Sequence, residues 1–237
     1  MLNIVTALKI EAKPIIEKFN LKPHGEIYQN NYINLIITGQ GKIKSAVNTA
    51  LLLNKYPQKT LNFGIAGSNI YDINEGFFVH KIIDTDSGFE YYPDFFKKPH
   101  TSLYTVSKPE IYYNLTDMEG SGFFEACYKF LSVENIILYK IISDTPDFPV
   151  KKEKIPLYIK THLHIIEELL DKNKDDFFIE IEEYINEAKK KMKLTKTQEN
   201  KLRQILTFYK TKNRKFPEIK ELKTKKEVSE FLNSLTS

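Results

Sequence analysis

Short apolar runs alternate with amphipathic segments over the first 145 residues of the chain. The runs are short enough for buried strands, and many are bounded by Gly, Asp or Ser. Between the first three of them, residues 11–19 and 45–56 have the apolar spacing of helices, with Pro14 predicted in the first helical turn. The predicted strands are LNIVTAL (2–8), INLIITG (33–39), TLNFGIAG (60–67), GFFVHKIID (76–84), SLYTVS (102–107) and IILYKIISD (136–144).

This alternation of strands and helices predicts an α/β fold with a mostly parallel or mixed sheet. In open α/β folds, ligands bind beyond the carboxyl ends of the strands. Side chains that follow the strands are therefore the first candidates for a functional site.

A third helix is predicted within DMEGSGFFEACYKF (117–130), just after the strand-like IYYNLT (111–116). Ser121 is its expected N-cap. Asp117 and Glu119 then stand where a strand hands over to a helix, and a helix N-terminus favours ionised carboxylates. Apolar positions at helical spacing predict one buried stripe, formed by Phe123, Ala126, Cys127 and Phe130.

After Asp147 the pattern is helical, with no strand signals. We expect the first of these helices, 159–170, to close the core of a domain that spans residues 1–170. The others, 175–193, 195–211 and 223–235, make residues 171–237 a helical extension.

Charge is distributed unevenly between these parts. Residues 189–226 contain 15 Lys or Arg and three acidic residues, a net charge of +12, so with +4 overall the remainder carries −8. This stretch has two open interpretations. It is either a solvated helical face or a contact surface for nucleic acid or an acidic partner.

Cysteine and histidine usage excludes several kinds of site. The single Cys127 lies on the apolar helix face and is expected to be an inert core thiol, which suits a reducing compartment. His162 and His164, two positions apart in a helix, point to different faces, so no metal site and no cofactor is expected. Without a signal peptide or membrane-spanning run, the chain is expected to be soluble and cytoplasmic.

Three carboxylates from distant segments stand at the ends of predicted strands. Glu11 follows the first strand, Glu119 follows 111–116, and Asp144 ends 136–144. If they converge on one crevice, their mutual repulsion raises their pKa values and leaves a group able to hold a proton near neutral pH. Such a cluster suits a reaction in which a leaving group is protonated while a cation develops.

Five stretches in order resemble the nucleoside phosphorylase and methylthioadenosine/S-adenosylhomocysteine nucleosidase superfamily. The resemblance covers about the first 145 residues and implies a three-layer αβα fold and, as family members are commonly oligomeric, a homodimer. The stretches are IVTALKIEAKPII, ITGQGKIKSAVNTALLL, LNFGIAG, DMEGSGFFEA and IISD.

The resemblance also implies roles for residues of this chain. Glu11 matches the carboxylate that activates water, and Asp144 matches the acid that protonates purine N7. Asp117 has no counterpart role and is expected to be structural. The substrate-binding positions are Met118 under the sugar, Glu119 at the ribose hydroxyls, Ser143 supporting Asp144, and Ala66 and Gly67 beside the sugar and base.

Residues 1–150 contain no arginine, and phosphorylases hold phosphate with arginines. Asn62, before the glycine turn, is also the nucleosidase-type residue. The expected activity is therefore hydrolysis of a purine nucleoside's N-ribosyl bond, with methylthioadenosine or S-adenosylhomocysteine as typical substrates.

Two alternatives stay open. A phosphorylase would need Lys42 and Lys44 to supply the missing charge at the nucleophile site. A non-catalytic nucleoside-binding or scaffold protein is the other, because Ile65 replaces a usual serine and Lys140 a usual arginine. The stretch that brings a stacking ring in nucleosidases is short here, so Ser107 and Lys108 are expected to line the base site.

Overall fold

The computed structural model describes residues 1–95, 97–109, 113–173, 176–211, 214–222 and 224–235. These residues form two compact units, Met1–Leu170 and Asp171–Ser237. Parts of three sequence predictions, at residues 111–112, 175 and 223, lie outside the described residues. Over the described ranges, no helix combines the length and apolar character needed to cross a bilayer.

The first unit is built from strands and helices that alternate along its first half. Its described strands are β1 (Leu2–Thr6), β2 (Lys22–His24), β3 (Ile27–Gln29), β4 (Ile33–Ile37), β5 (Thr60–Gly67), β6 (Gly76–Asp84), β7 (Glu90–Tyr91), β8 (His100–Thr105), β9 (Thr116–Asp117) and β10 (Ile136–Asp144). Its helices are α1 (Lys9–Lys18), α2 (Lys42–Lys55), α3 (Gly120–Tyr128), α4 (Ile155–Thr161) and α5 (Leu163–Asn173), which runs into the second unit.

One mixed sheet contains all of these strands. Its order is β10-β6-β8-β9-β5-β1-β4-β3-β2, with β7 paired to β6. Because β10 also pairs with β5, the strands β5, β10, β6, β8 and β9 close into a ring, and β1, β4, β3 and β2 extend from it. The β1–β4, β1–β5, β10–β5 and β6–β8 pairs are parallel, whereas β10–β6 and β3–β4 are antiparallel.

Helices cover both faces of the sheet, since alternate strand residues point to opposite sides. On one face, Ile4 and Phe63 pack with residues of α1, α4 and α5 such as Ile159. On the other face, Val5 packs with Leu52 of α2 and with residues of α3. The predicted α/β class and the three-layer αβα arrangement are confirmed.

Two predicted helix starts are wrong. Helix α1 begins at Lys9, so Pro14 lies in its interior, where a proline lacks the N–H for the usual bond to the preceding turn. Helix α3 begins at Gly120, and Glu119 occupies the N-cap position. Ser121 is inside the helix, and its Oγ donates to Asp84 Oδ2 at 2.6 Å instead of capping.

The predicted stripe on α3 is shorter than expected. Phe123, Ala126 and Cys127 are buried, but Phe130 follows the end of the helix and is 40% exposed. Within the described part of residues 111–116, only Thr116 belongs to a strand, β9. The short strands β2, β3 and β7 were not predicted, because two or three residues give no readable alternation.

The helix predicted at 159–170 is interrupted at His162. At the break, the His162 ring is buried and is held from both sides. Its Nδ1 lies 2.8 Å from Tyr139 Oη, and its Nε2 lies 3.0 Å from the carbonyl oxygen of Asn74. His162 therefore ties α4 to β10 and to the turn before β6.

The second unit contains α6 (Asp176–Lys191), α7 (Lys196–Thr211) and α8 (Lys225–Ser234). Apolar side chains from all three helices, such as Ile185, Leu202 and Val228, form its own core. Thr224 caps α8 by accepting a hydrogen bond from the Glu227 N–H. Amphipathic helical periodicity therefore accounts for this unit.

Candidate active site

One cavity of about 530 Å³ lies where β1, β5, β9 and β10 end. Seven of the site residues expected from the sequence line it, although they come from four separate segments of the chain. They are Glu11, Ala66, Gly67, Met118, Glu119, Ser143 and Asp144.

Glu11 is fixed by backbone donors at the base of the cavity. Its two carboxylate oxygens accept N–H groups of Leu8, at 2.6 Å, and Ile65, at 2.9 Å. A Cβ on Gly64 would lie 2.8 Å from Glu11 Oε1, so glycine gives the carboxylate its space. Burial raises the pKa of Glu11 in spite of these donors and of the positive charge of Lys140. Burial therefore favours the protonated form of Glu11.

Glu119 is held by a different helix from the one expected. Its Oε1 accepts the Gly41 N–H at 2.8 Å, which lies at the N-terminus of α2 rather than α3. Burial, with the nearby Asp117 charge, raises the pKa of Glu119 to about 7, against the pull of Lys140. The helix N-terminus was expected to favour the ionised form of Glu119, but burial outweighs it and moves the pKa upward, the direction expected for converging carboxylates.

Lys140 supplies the positive charge beneath these carboxylates. Its Nζ lies 2.8 Å from Asp117 Oδ2, and both side chains are almost completely buried. Burial alone would lower the pKa of Lys140, but the carboxylates of Asp117, Glu119 and Glu11 raise it above its ordinary value. The ammonium group therefore stays charged at the centre of an acidic cluster.

Asp117 has the contacts of a structural residue, as the sequence predicted. Beside Lys140, its carboxylate accepts the Gly120 N–H at 2.9 Å and the Thr105 hydroxyl at 2.9 Å. These bonds join β8, β9, β10 and the start of α3. Asp117 also lines the cavity, so the structural pair lies directly behind the carboxylates.

Asp144 stands at an irregular end of β10. The pairing of β10 with β5 shifts register between Ile142 and Asp144, and such a shift changes the direction of a side chain. The Ser143 hydroxyl hydrogen-bonds to Asp144 Oδ1 and lies 3.3 Å from the Ala66 carbonyl oxygen. Asp144 is only half-buried and lines the cavity, so a ligand in the cavity can reach it.

Several lining residues were not found from the sequence. Gln40 follows β4, and its Nε2 donates to the Met118 sulfur at 3.0 Å, so it fixes the side chain expected beneath the sugar. Others lie at the ends of elements or outside them, where no periodicity marks them. They are Leu8, Lys9, Ile10, Val106, Pro109, Val150, Lys152 and Ile155.

The expectation for the base site needs a correction. Neither Ser107 nor Lys108 lines the cavity; Val106 and Pro109 do so instead. The Ser107 hydroxyl bonds to Asp86 and so points to another cluster. These residues lie in a loop, and a loop has no periodicity from which the inward-facing side chains could be predicted.

Lys42 belongs to that cluster rather than to the cavity. Its Nζ lies 3.0 Å from Asp84 Oδ2 and 2.5 Å from Asp86 Oδ2. Asp84 also accepts the hydroxyl of Ser121. These contacts fix the start of α2 against α3, and with it the Gly41 N–H that holds Glu119.

Glu119→Gln is expected to stabilise the protein more at pH 8 than at pH 5. The pKa of Glu119 rises from 4.5 to about 7 on folding. The free energy of unfolding of the wild type therefore falls as pH increases through that range, because the folded state resists ionisation of Glu119. Glutamine keeps the acceptor for the Gly41 N–H and removes the charge. Urea denaturation gives the free energy of unfolding of the variant and of the wild type at both pH values. The difference between the two proteins should be roughly 2 kcal/mol larger at pH 8 than at pH 5. A difference independent of pH would contradict the raised pKa.

Comparison with solved structures gives the fold. A methylthioadenosine/S-adenosylhomocysteine nucleosidase from Campylobacter jejuni matches with a TM-score of 0.62 and 14% identity, over 72% of this chain and 98% of that chain. A mutant of the Helicobacter pylori nucleosidase, with 5′-methylthioadenosine in its active site, matches with a TM-score of 0.58 and 18% identity, over 72% and 98%. This chain has the nucleosidase fold.

A futalosine hydrolase from Helicobacter pylori shares this nucleosidase fold, with a TM-score of 0.58 and 17% identity over 72% of this chain and 97% of that one. No protein-family model matches the sequence, and a search of curated proteins gave no match. At these identities the likeness concerns the nucleosidase fold alone, so chemistry has to be argued from the cavity.

Proposed function

We propose that the protein hydrolyses the N-ribosyl bond of an adenosine-type purine nucleoside, such as methylthioadenosine or S-adenosylhomocysteine. The observation that carries the proposal is that Glu11, Glu119 and Asp144 line a single cavity of about 530 Å³. Cavities of this size hold small-molecule ligands. Solved nucleosidases and a futalosine hydrolase with the same fold support the proposal.

In the proposed reaction the C1′–N9 bond breaks and its electron pair goes to the base. Asp144 donates a proton to purine N7, and Ser143 orients the Asp144 carboxyl group. Glu119 accepts hydrogen bonds from the ribose hydroxyls above Met118. Glu11 takes a proton from the water whose oxygen bonds to C1′, which gives the free base and the free sugar. General acid and base groups each contribute on the order of 10²–10⁴ in rate.

Water is the proposed nucleophile because no arginine is among the described residues that line the cavity, and Lys42 is already bound by Asp84 and Asp86. Lys9 and Lys152 line the cavity, but both are exposed, and each offers one ammonium group instead of the paired donors of an arginine. Binding of a phosphate dianion is strongest with such paired, charge-assisted donors.

A panel of nucleosides, assayed for free base with and without phosphate, tests the proposed reaction. Base release that needs no phosphate supports hydrolysis, and release that requires phosphate would establish a phosphorylase. No release from any nucleoside would favour a binding protein. The Ile65 side chain at the cavity wall is the feature that would then account for a missing nucleophile.

We propose that the chain forms a homodimer through the outer face of α2. Three apolar side chains one turn apart, Ile43, Val47 and Leu51, are between 54% and 81% exposed there. Val47→Asp is expected to shift the protein to a monomer in analytical ultracentrifugation, because a charge in an apolar interface is not compensated. Leu157→Asp, at an exposed position of α4, is the matched control. A wild-type chain that is monomeric at tens of micromolar would rule this interface out.

Contact with nucleic acid or an acidic partner remains a proposal for the basic stretch 189–226. In the described part of this stretch, exposed basic side chains are supplied by Lys190, Lys193, Arg214 and Lys215. Lys189 is instead paired with Glu199. Oligonucleotide binding that weakens steeply with salt would support this role, and no binding at low salt would end it. The cytoplasmic location likewise stays a prediction.

A further inference from the structure

A second cavity, of about 590 Å³, lies next to the one assigned to the nucleoside, and the proposed reaction gives it no role. Its lining comes from the turn after β5, the segment after β10 and the start of α4. Among the described lining residues, only Ser143 is common to both cavities. The segment between β10 and α4 separates them, because Val150 and Lys152 line the nucleoside cavity whereas Phe148 and Lys151 line the second one.

The Tyr158 hydroxyl has the properties of a ligand contact in this second cavity. Tyr158 lies on α4, lines the cavity and is only 9% exposed. Its hydroxyl makes no hydrogen bond with a described residue, and its oxygen is not enclosed by protein atoms. By comparison, the Tyr139 hydroxyl, also in the core, lies 2.8 Å from His162 Nδ1. Because buried polar groups normally have partners, the second cavity is where a partner for the Tyr158 hydroxyl can bind.

Four charged side chains also line the second cavity. Lys151 and Lys154 precede Tyr158 at helical spacing, so two ammonium groups and one hydroxyl form a donor wall. Asp72 and Asp147, from the two other segments, form an acidic wall. Within the described part of the chain, none of these four charged side chains takes part in an ion pair or a side-chain hydrogen bond. The two walls do not neutralise each other, so a ligand that carries both charges can bind to both.

We infer that the second cavity binds a zwitterionic amino acid with an apolar side chain. The carboxylate of the ligand accepts hydrogen bonds from the donor wall, and its ammonium group pairs with the acidic wall. Ile70, Ile73 and Phe148 supply apolar contact for its side chain. An uncharged ligand would use neither wall, and a simple anion would be repelled by the acidic wall.

Calorimetry with L-leucine, L-methionine and L-phenylalanine as probes tests the inferred site in the full chain. For the probe that binds most tightly, the N-acetyl derivative lacks the positive charge and the amide lacks the negative charge. We expect each derivative to bind roughly three- to tenfold more weakly, because exposed ion pairs contribute little each. No binding of any of the three probes at millimolar concentration would overturn the inference, and so would equal Kd values for the amino acid and both derivatives.

Variants of the two walls assign each charge of the ligand. Lys151→Met/Lys154→Met is expected to make the amino acid and its amide bind equally well. Asp72→Asn/Asp147→Asn should do the same for the amino acid and its N-acetyl derivative. Tyr158→Phe keeps the ring in the core and should weaken binding of the amino acid roughly two- to tenfold, the value of one hydrogen bond.

Matched controls remove the same groups from positions outside the second cavity. Tyr32→Phe and Lys22→Met/Lys160→Met change exposed residues that do not line it, and should bind the amino acid with the wild-type Kd. Wild-type binding by Tyr158→Phe, together with charge preferences that survive in both wall variants, would place the amino acid elsewhere and overturn the inference.

The inferred site and the proposed reaction can fail separately. An Asp144→Asn chain saturated with an adenosine-type nucleoside should still bind the amino acid, because the two ligands occupy different cavities. Direct competition between the two ligands would overturn the inference. Base release without amino-acid binding would refute the second site alone, and amino-acid binding without base release from any nucleoside would refute the proposed reaction alone.

Discussion

Asp144→Asn is expected to lower the rate of base release by on the order of 10²–10⁴ and to leave the fold intact. The amide keeps the size of the carboxyl group, but it cannot transfer a proton to purine N7 when the C1′–N9 bond breaks. Because Asp144 is half-buried and its main contact is the Ser143 hydroxyl, its replacement should not disturb the core. Measurement of kcat/KM for a cleaved nucleoside, with circular dichroism as the check on folding, gives the result.

Asp94→Asn is the matched control, since Asp94 is an exposed loop residue that does not line the cavity. It should release base at the wild-type rate. An Asp144→Asn chain that is folded and retains wild-type activity would remove Asp144 from the reaction.

Lys140→Met is expected to destabilise the protein by about 3–5 kcal/mol. The substitution removes the ammonium group that lies 2.8 Å from Asp117 Oδ2 and leaves a carboxylate buried without its counter-charge. The effect should appear in urea denaturation as a lower midpoint with an unchanged slope.

The double substitution Lys140→Met/Asp117→Asn should recover much of this loss, because it removes both charges of the buried pair. Lys81 lies on the neighbouring strand β6, and its Nζ forms a surface ion pair with Glu90 Oε1 at 2.7 Å. Lys81→Met breaks this pair and should change stability very little. A Lys140→Met variant as stable as Lys81→Met would show that Lys140 does not neutralise the cluster.

Sequence periodicity predicted the long strands and, apart from α4, the helices of both units, because each long element carries its own apolar face. The placement of Glu11 and Asp144 after strands also indicated that they converge, because parallel strands that share a sheet end at the same edge. β1 and β10 are both parallel to β5, whereas β9, which precedes Glu119, is antiparallel to β5, so strand direction does not account for the position of Glu119.

The remaining features depend on contacts that no local pattern encodes. The ring of strands closes through β9, which has two residues, and through the pairing of β10 with β5. Glu119 is held by Gly41, 78 positions away in sequence, so the sequence argument chose the nearer helix N-terminus. The balance that raises the pKa of Glu119 depends on burial and on Asp117 and Lys140, which only packing brings together.

The most direct test of this account is a crystal structure of Asp144→Asn with an adenosine-type nucleoside bound. The account predicts one nucleoside in the cavity, with purine N7 in hydrogen-bond contact with residue 144. Its ribose hydroxyls should lie on Glu119, and a water molecule should lie between Glu11 and C1′. A nucleoside bound elsewhere, or in this cavity with its base turned away from residue 144, would contradict it.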